Sequence, residues 1–148
     1  MRSCYFVMAQ VGLLEDNARV AKLCATMLNF AGHQVTVYGH PKECLRALFS
    51  VGMLHDDIQA AQESIKASSL PVEVLILDLH LPDISGLEVL HQLQSHPRTR
   101  SLPLIFCTAA TDSEVANALR IAPRAGLVAK PFKLQTLVSA ISKVLQTT

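Results

Sequence analysis

Apolar positions along the chain fall into two alternating rhythms. Short unbroken runs make up the first: Val11-Gly12-Leu13-Leu14, Val74-Leu75-Ile76-Leu77, Leu104-Ile105-Phe106-Cys107 and Leu127-Val128-Ala129. Runs of this length, without polar alternation, read as parallel strands buried on both faces. Gln34 to Tyr38 supplies one more strand. Between the strands the apolar residues recur at helical spacing. The first helix follows Asp16 and puts Val20, Leu23, Met27 and Phe30/Ala31 on one face, with Gly32 as its stop. A second opens near Pro41, a residue favoured in the first helical turn. Ser85-x-x-Glu88 is a capping box that starts a helix running to about Gln94, before Pro97. Thr111-x-x-Glu114 starts another, which ends before Pro123. The last spans about Leu134 to Leu145, with Leu134, Leu137, Val138, Ile141 and Leu145 on one face. Strand and helix alternate five times, which predicts βαβ units and a parallel sheet.

One stretch is too long for this rhythm. Residues 39–72 separate the second and third strands, where a helix of about 12 residues with short loops would suffice. Leu54, Ile58, Ala61 and Ile65 recur at helical intervals, with Asp56, Asp57, Gln59, Gln62 and Glu63 on the other faces. The second helix is either elongated through Gly52 or followed by another; a break at Gly52 is the expectation. The surplus, about residues 53–68, reads as a helical insertion on the flank of the domain, as a tolerated addition or a face for a partner.

The strand ends carry the chemistry. The first run leads into Glu15-Asp16, the third strand into Asp78, the fourth into Thr108 and the fifth into Lys130. In a parallel sheet all carboxyl ends share one edge, and ligands of open α/β sheets lie in the crevice above it. These five side chains should therefore converge. Three carboxylates so placed would repel and raise each other's pKa values, unless a divalent cation sits among them. An oxygen-only set suits Mg²⁺, which keeps several waters and takes phosphate oxygens as further ligands. Thr108 and Lys130 then supply a hydroxyl donor and a point charge for such oxygens.

The combination of Glu15-Asp16, Asp78, Leu81-Pro82-Asp83-Ile84-Ser85-Gly86-Leu87-Glu88, Thr108-Ala109 and Lys130-Pro131-Phe132 resembles a response-regulator receiver domain of the two-component phosphorelay type. The resemblance runs from about Ala9 to about Leu145 and implies one receiver domain over 1–148. It implies a doubly wound, flavodoxin-like α/β fold, a five-stranded parallel sheet in the order 2-1-3-4-5. It implies that Asp78 is the phosphoacceptor, taking a phosphoryl group from a sensor histidine kinase or histidine phosphotransfer protein. Glu15, Asp16, Asp78 and the backbone carbonyl of His80 correspond to Mg²⁺ ligands. Lys130 would pair with Asp78, across a cis Lys130–Pro131 bond, and Thr108 would turn its hydroxyl towards the phosphoryl group. The His80 imidazole is expected in solvent at the rim. Such a domain is a signalling phosphoacceptor that assists its own phosphorylation and dephosphorylation, not an enzyme in the ordinary sense. Receivers usually carry Tyr or Phe three residues before the lysine; here Leu127 stands there, which puts aromatic switching in doubt.

Two other classes share parts of the pattern. A haloacid-dehalogenase-type phosphatase also keeps Asp at a strand end with Mg²⁺, Thr and Lys, but needs a second Asp where this chain has His80. A receiver-like interaction module would work without phosphorylation. Composition changes the picture little. The chain has 148 residues, one domain's worth, half of them apolar, with 13 basic against 12 acidic residues. Near neutrality gives no standing attraction to nucleic acid or an anionic membrane. Cys4, Cys24, Cys44 and Cys107 form no Cys-x-x-Cys pair, and Cys24 and Cys107 fall on apolar faces as buried thiols. The six histidines show no paired zinc spacing. No apolar stretch approaches the roughly 20 residues needed to span a bilayer, and no signal peptide is evident, so the cytoplasm is expected. Only eighteen residues follow Lys130, room for the last helix and no output domain. Met8 would serve as a start as well as Met1.

Overall fold

The computed structural model describes residues 8–53, 70–81 and 84–146, with the backbone alone for 50–53. Five parallel strands form one sheet in the order β2-β1-β3-β4-β5. They are β1 (Gln10–Leu14), β2 (Gln34–Tyr38), β3 (Val74–Leu77), β4 (Leu104–Thr108) and β5 (Gly126–Ala129). The helices are α1 (Ala18–Phe30), α2 (Pro41–Met53), α3 (Gly86–Ser95), α4 (Asp112–Ile121) and α5 (Leu134–Gln146). This is the expected order, with one helix after each strand among the described residues.

The sheet is covered on both faces. Leu14, Leu75, Leu77 and Phe106 point to one side, where α2, α3 and α4 seal them with Leu48, Val89, Leu90, Leu93 and Ala118. Val11, Leu13, Val74, Ile76 and Ile105 point to the other, under Ala21, Cys24 and Leu28 of α1 and Leu137, Ile141 and Val144 of α5. Every residue of β3 and β4 is buried. That burial on both faces is why these strands read as unbroken apolar runs. β2 and β5 lie at the edges and are partly exposed.

The register aligns the strand ends. Leu14 pairs with Leu77 and Leu77 with Phe106, while Thr108 pairs with Ala129. Glu15 and Asp78 thus leave the sheet at one level, and Lys130 follows directly on Thr108's partner.

Helix ends follow their side chains. Asn17 caps α1, its side chain accepting from the N–H groups of Arg19 and Val20. Gly32, at φ 101°, takes the left-handed conformation that ends the helix. Ser85 accepts from the Glu88 N–H, and Thr111 and Glu114 close a reciprocal capping box.

One expectation needs correction. The stripe Val20, Leu23, Met27 and Phe30 is not the face that α1 buries: Leu23 is 61% and Phe30 88% exposed. The helix is turned one residue on, so that Ala21, Cys24 and Leu28 meet the sheet. Two of those, Ala21 and Cys24, are small. The described part of α2 ends at Met53, one residue past Gly52, so the break expected there turns on residues outside the described ones. The stripe Leu54, Ile58, Ala61 and Ile65 and residues 1–7 lie outside the described residues. So do Cys4, Pro82 and Asp83.

Candidate functional site

β3 delivers Asp78 to the middle of the carboxyl edge of the sheet, and the chain then turns sharply into α3. Gly86 makes that turn possible. A Cβ there would lie 2.5 Å from the Leu79 Cα and 2.6 Å from the Asp78 carbonyl oxygen, inside any real contact distance. The Gly86 N–H instead donates to the Leu79 carbonyl at 3.0 Å, pinning the start of α3 under the loop that holds the acid. Sequence reading used Gly86 only as part of a motif; its close approach to backbone explains why that position takes no side chain.

Asp78 is buried and fully engaged. Oδ1 accepts from the Thr108 hydroxyl at 2.8 Å and from the His80 N–H at 3.0 Å. Oδ2 accepts from the Lys130 ammonium at 2.8 Å. The same ammonium donates to Glu15 Oε1, also at 2.8 Å, and Glu15 Oε2 accepts from the Asn17 N–H at 3.2 Å. Lys130 reaches in from the edge strand across a cis Lys130–Pro131 bond, and its own N–H donates to the Thr108 carbonyl at 3.1 Å. One cation thus stands between two buried carboxylates, which alone would be costly neighbours.

The electrostatics follow from these contacts. Burial pushes the Asp78 carboxyl up, but the His80 N–H, the Lys130 ammonium and the Thr108 hydroxyl outweigh it and hold the group below its ordinary value. Burial also pulls Lys130 down, and its bonds to Asp78 and Glu15 reverse that and hold it above the usual lysine range. Both groups are charged at neutral pH. The buried thiols of Cys24, Cys44 and Cys107 are pushed up to between about 11 and about 12, chiefly by burial, and stay protonated.

Around this core lies an exposed rim. Asp16 is exposed and lines an open groove of about 400 Å³ with Glu15, Ala21, Lys22 and Val37. Among the described residues no three His, Cys, Asp or Glu side chains form a ready metal cluster. Lys130 stands between Glu15 and Asp78. On the opposite side, a cleft of about 430 Å³ is bounded by Leu79, His80, Leu81, Ser85, Leu87 and Glu114. His80 is exposed at the rim, and its Nε2 lies 2.8 Å from Glu114 Oε2. Glu114 is held down to about 2 by the Thr111 N–H, then by His80 and the Thr111 hydroxyl. Its place in the capping box was legible in sequence; its contact with His80, 34 residues away, was not. Leu127 sits on edge strand β5 and is 47% exposed.

The arrangement offers a carboxylate nucleophile, a fixed cation and an oriented hydroxyl at one strand edge, with oxygen donors alongside. Comparison with known proteins agrees with that inventory. A family model described as the response regulator receiver domain matches residues 11–142. A chemotaxis protein CheY homolog of Campylobacter jejuni is 30% identical over 99 residues, which cover 63% of this chain and 75% of that protein. The probable transcriptional regulatory protein TcrX of Mycobacterium tuberculosis is 26% identical over 92% of this chain, which spans 49% of TcrX. Among solved structures, a putative response regulator from Chloroflexus aurantiacus superposes with a TM-score of 0.69 at 25% identity, covering 95% of this chain and 99% of its own. The receiver domain of a signal transduction histidine kinase from Syntrophus aciditrophicus reaches 0.71 at 20% identity, covering 95% and 92%, and speaks to the fold alone. The family match stands against the dehalogenase-type alternative.

Proposed function

The chain belongs to the response regulator receiver domain family of two-component signalling, and on that premise we propose that Asp78 accepts a phosphoryl group. The observation that carries this is the contact set of one buried carboxylate: Lys130 on one oxygen, the Thr108 hydroxyl and the His80 N–H on the other. A carboxylate kept ionised in this way is a ready nucleophile. It attacks the phosphorus of a phosphohistidine on a sensor kinase or phosphotransfer protein. The N–P bond breaks, the departing imidazole nitrogen takes a proton from water, and Asp78 becomes an acyl phosphate. Lys130 then turns from the carboxylate to a phosphoryl oxygen, and the Thr108 hydroxyl donates to another, so both stabilise charge that moves outward during transfer.

The donor set fits Mg²⁺ in chemistry: Glu15, Asp16, Asp78 and the His80 carbonyl are all oxygen donors, few enough for an ion that keeps its waters. Bound there, the cation would neutralise the phosphoryl oxygens as they approach three carboxylates. Incubation with acetyl phosphate, with and without Mg²⁺, tests the reading. Intact-mass measurement should show one added phosphoryl group that requires the metal and is lost in Asp78→Asn. Label persisting in Asp78→Asn would overturn the assignment. Failure of the parent chain to label at all would favour a receiver-like interaction module.

A further inference from the structure

Asp78 Oδ1 belongs to a hydrogen-bonded ring that leaves the site and returns to it. One arm runs through β4: the Thr108 hydroxyl donates to Oδ1 at 2.8 Å and itself accepts from the Ala110 N–H at 3.0 Å. The chain passes directly to Thr111, the cap of α4, whose N–H and hydroxyl both donate to Glu114 Oε1 at 2.9 Å. Glu114 Oε2 then meets His80 Nε2 at 2.8 Å, and the His80 N–H donates back to Asp78 Oδ1 at 3.0 Å. The ends of β3 and β4 and the first turn of α4 are thereby tied into one unit. The link needs no charge on the imidazole, since a neutral ring carrying its proton on Nε2 donates to a carboxylate. Leu127, three residues before Lys130, offers neither a ring nor a hydroxyl to this network and is half exposed on its edge strand.

We propose that His80 and Glu114 are a positioning pair. Their contact holds the first turn of α4, and through Ala110 the Thr108 hydroxyl, in the phosphoryl-receiving arrangement while Asp78 is still a free carboxylate. The proposal rests on the phosphoacceptor reading and adds a consequence to it. Phosphorylation of Asp78 finds α4 already docked, so the outer face of α4 changes little and the phosphoryl group itself is the signal that a partner reads.

Backbone amide shifts of the full chain, recorded before and after addition of beryllofluoride with Mg²⁺, separate the possibilities. In the parent chain large shifts should be confined to residues 78–80, 108–110 and 130, with 112–121 nearly still. His80→Ala leaves the capping box intact but opens the ring. It should phosphorylate several-fold more slowly from acetyl phosphate and should gain beryllofluoride-dependent shifts across 112–121. Glu114→Gln keeps the cap and can donate its amide to the other histidine tautomer, so with His80 present it should keep the parent's still α4. Shifts in α4 of the parent as large as those beside Asp78, or a His80→Ala variant indistinguishable from the parent, would overturn the pair's role with phosphorylation intact. Absence of any shift near Asp78 would remove the phosphoacceptor reading first, and this proposal with it.

Discussion

Glu15 and Asp16 are neighbours in sequence with the same charge, yet they live in different regions of one site. Glu15 is buried, 6% exposed, and shares the Lys130 ammonium with Asp78. Asp16 is exposed beside a groove, and on the far side the rim pair His80 and Glu114 is about half exposed. In the buried core each charge is desolvated, so removing a partner leaves a cost that only protonation can relieve. At the rim water screens each charge, and a contact matters for where it holds the chain more than for how strongly it binds. Chemistry should therefore fail through the core, and tuning should run through the rim.

The largest effect expected is chemical. Asp78→Asn should abolish incorporation of phosphate from acetyl phosphate, because a neutral amide is no nucleophile, while leaving the far-ultraviolet circular dichroism of the domain unchanged. Any acceptor activity left in that variant, read by intact mass, would break the division between core and rim at its centre.

Lys130→Ala tests the energetic side of the division. With the ammonium gone, Glu15 and Asp78 face each other buried and uncompensated, and stability at pH 7 should fall by about 3 kcal/mol. The pH dependence has a definite sign. The Asp78 carboxyl lies below its ordinary value in the folded chain, so its contribution is complete above about pH 4 and is lost as pH falls further. Lys130 lies above its ordinary value, so its contribution persists up to about pH 10 and is lost only beyond. The parent should thus be flat from pH 5 to 9, while protonation relieves the variant's uncompensated pair as pH falls, so the gap should be widest at the alkaline end of that range and narrow towards acid. Urea melts across that range measure it; a gap that widened in acid would mean the pair is not what stabilises the core.

Gly86→Ala perturbs the core without touching a charge. Its new Cβ would meet the Leu79 and Asp78 backbone, which must shift, at a cost of about 1–3 kcal/mol. Moving that loop also moves the His80 N–H off Asp78, so phosphorylation should slow by more than the stability loss alone explains. A variant that melts earlier yet phosphorylates at the parent rate would show that the loop need not be held so tightly.

The core was legible in sequence and the rim was not, for a physical reason. A strand buried on both faces must be apolar throughout, so a polar residue ending such a run stands out: Asp78 and Thr108 announce themselves. Lys130 follows an equally apolar run, although β5 proves to be a partly exposed edge strand rather than a buried one. Parallel pairing then brings them to one edge whatever their separation along the chain. The His80–Glu114 contact has no such signature, since both are ordinary surface residues that meet only once the β3–α3 loop and α4 are placed. The face of α1 was misread for a related reason. Leu23 and Phe30 are more hydrophobic than Ala21 and Cys24, yet the stripe that α1 buries is Ala21, Cys24 and Leu28, so side-chain hydrophobicity alone did not mark it.

The smallest structural effect is expected at Asp16, and it decides what the rim is for. Asp16 is exposed, so Asp16→Asn removes a charge that water already screens, and the melting temperature without metal should not move. Its neighbour Glu15 supplies the contrast: Glu15→Gln weakens a buried bond to Lys130 and should lower the melting temperature measurably. If Asp16 is nevertheless a ligand, its loss leaves Mg²⁺ fewer charged oxygens, and more metal should be needed to reach half-maximal phosphorylation from acetyl phosphate. At saturating Mg²⁺ the variant should approach the parent rate, because the nucleophile, the lysine and the hydroxyl are untouched. An unchanged Mg²⁺ requirement would remove Asp16 from the ligand set and leave Glu15, Asp78 and the His80 carbonyl to hold the ion. A lowered melting temperature in metal-free buffer would instead mean that Asp16 belongs to the core, and that exposure is a poor guide to which acids hold this edge of the sheet together.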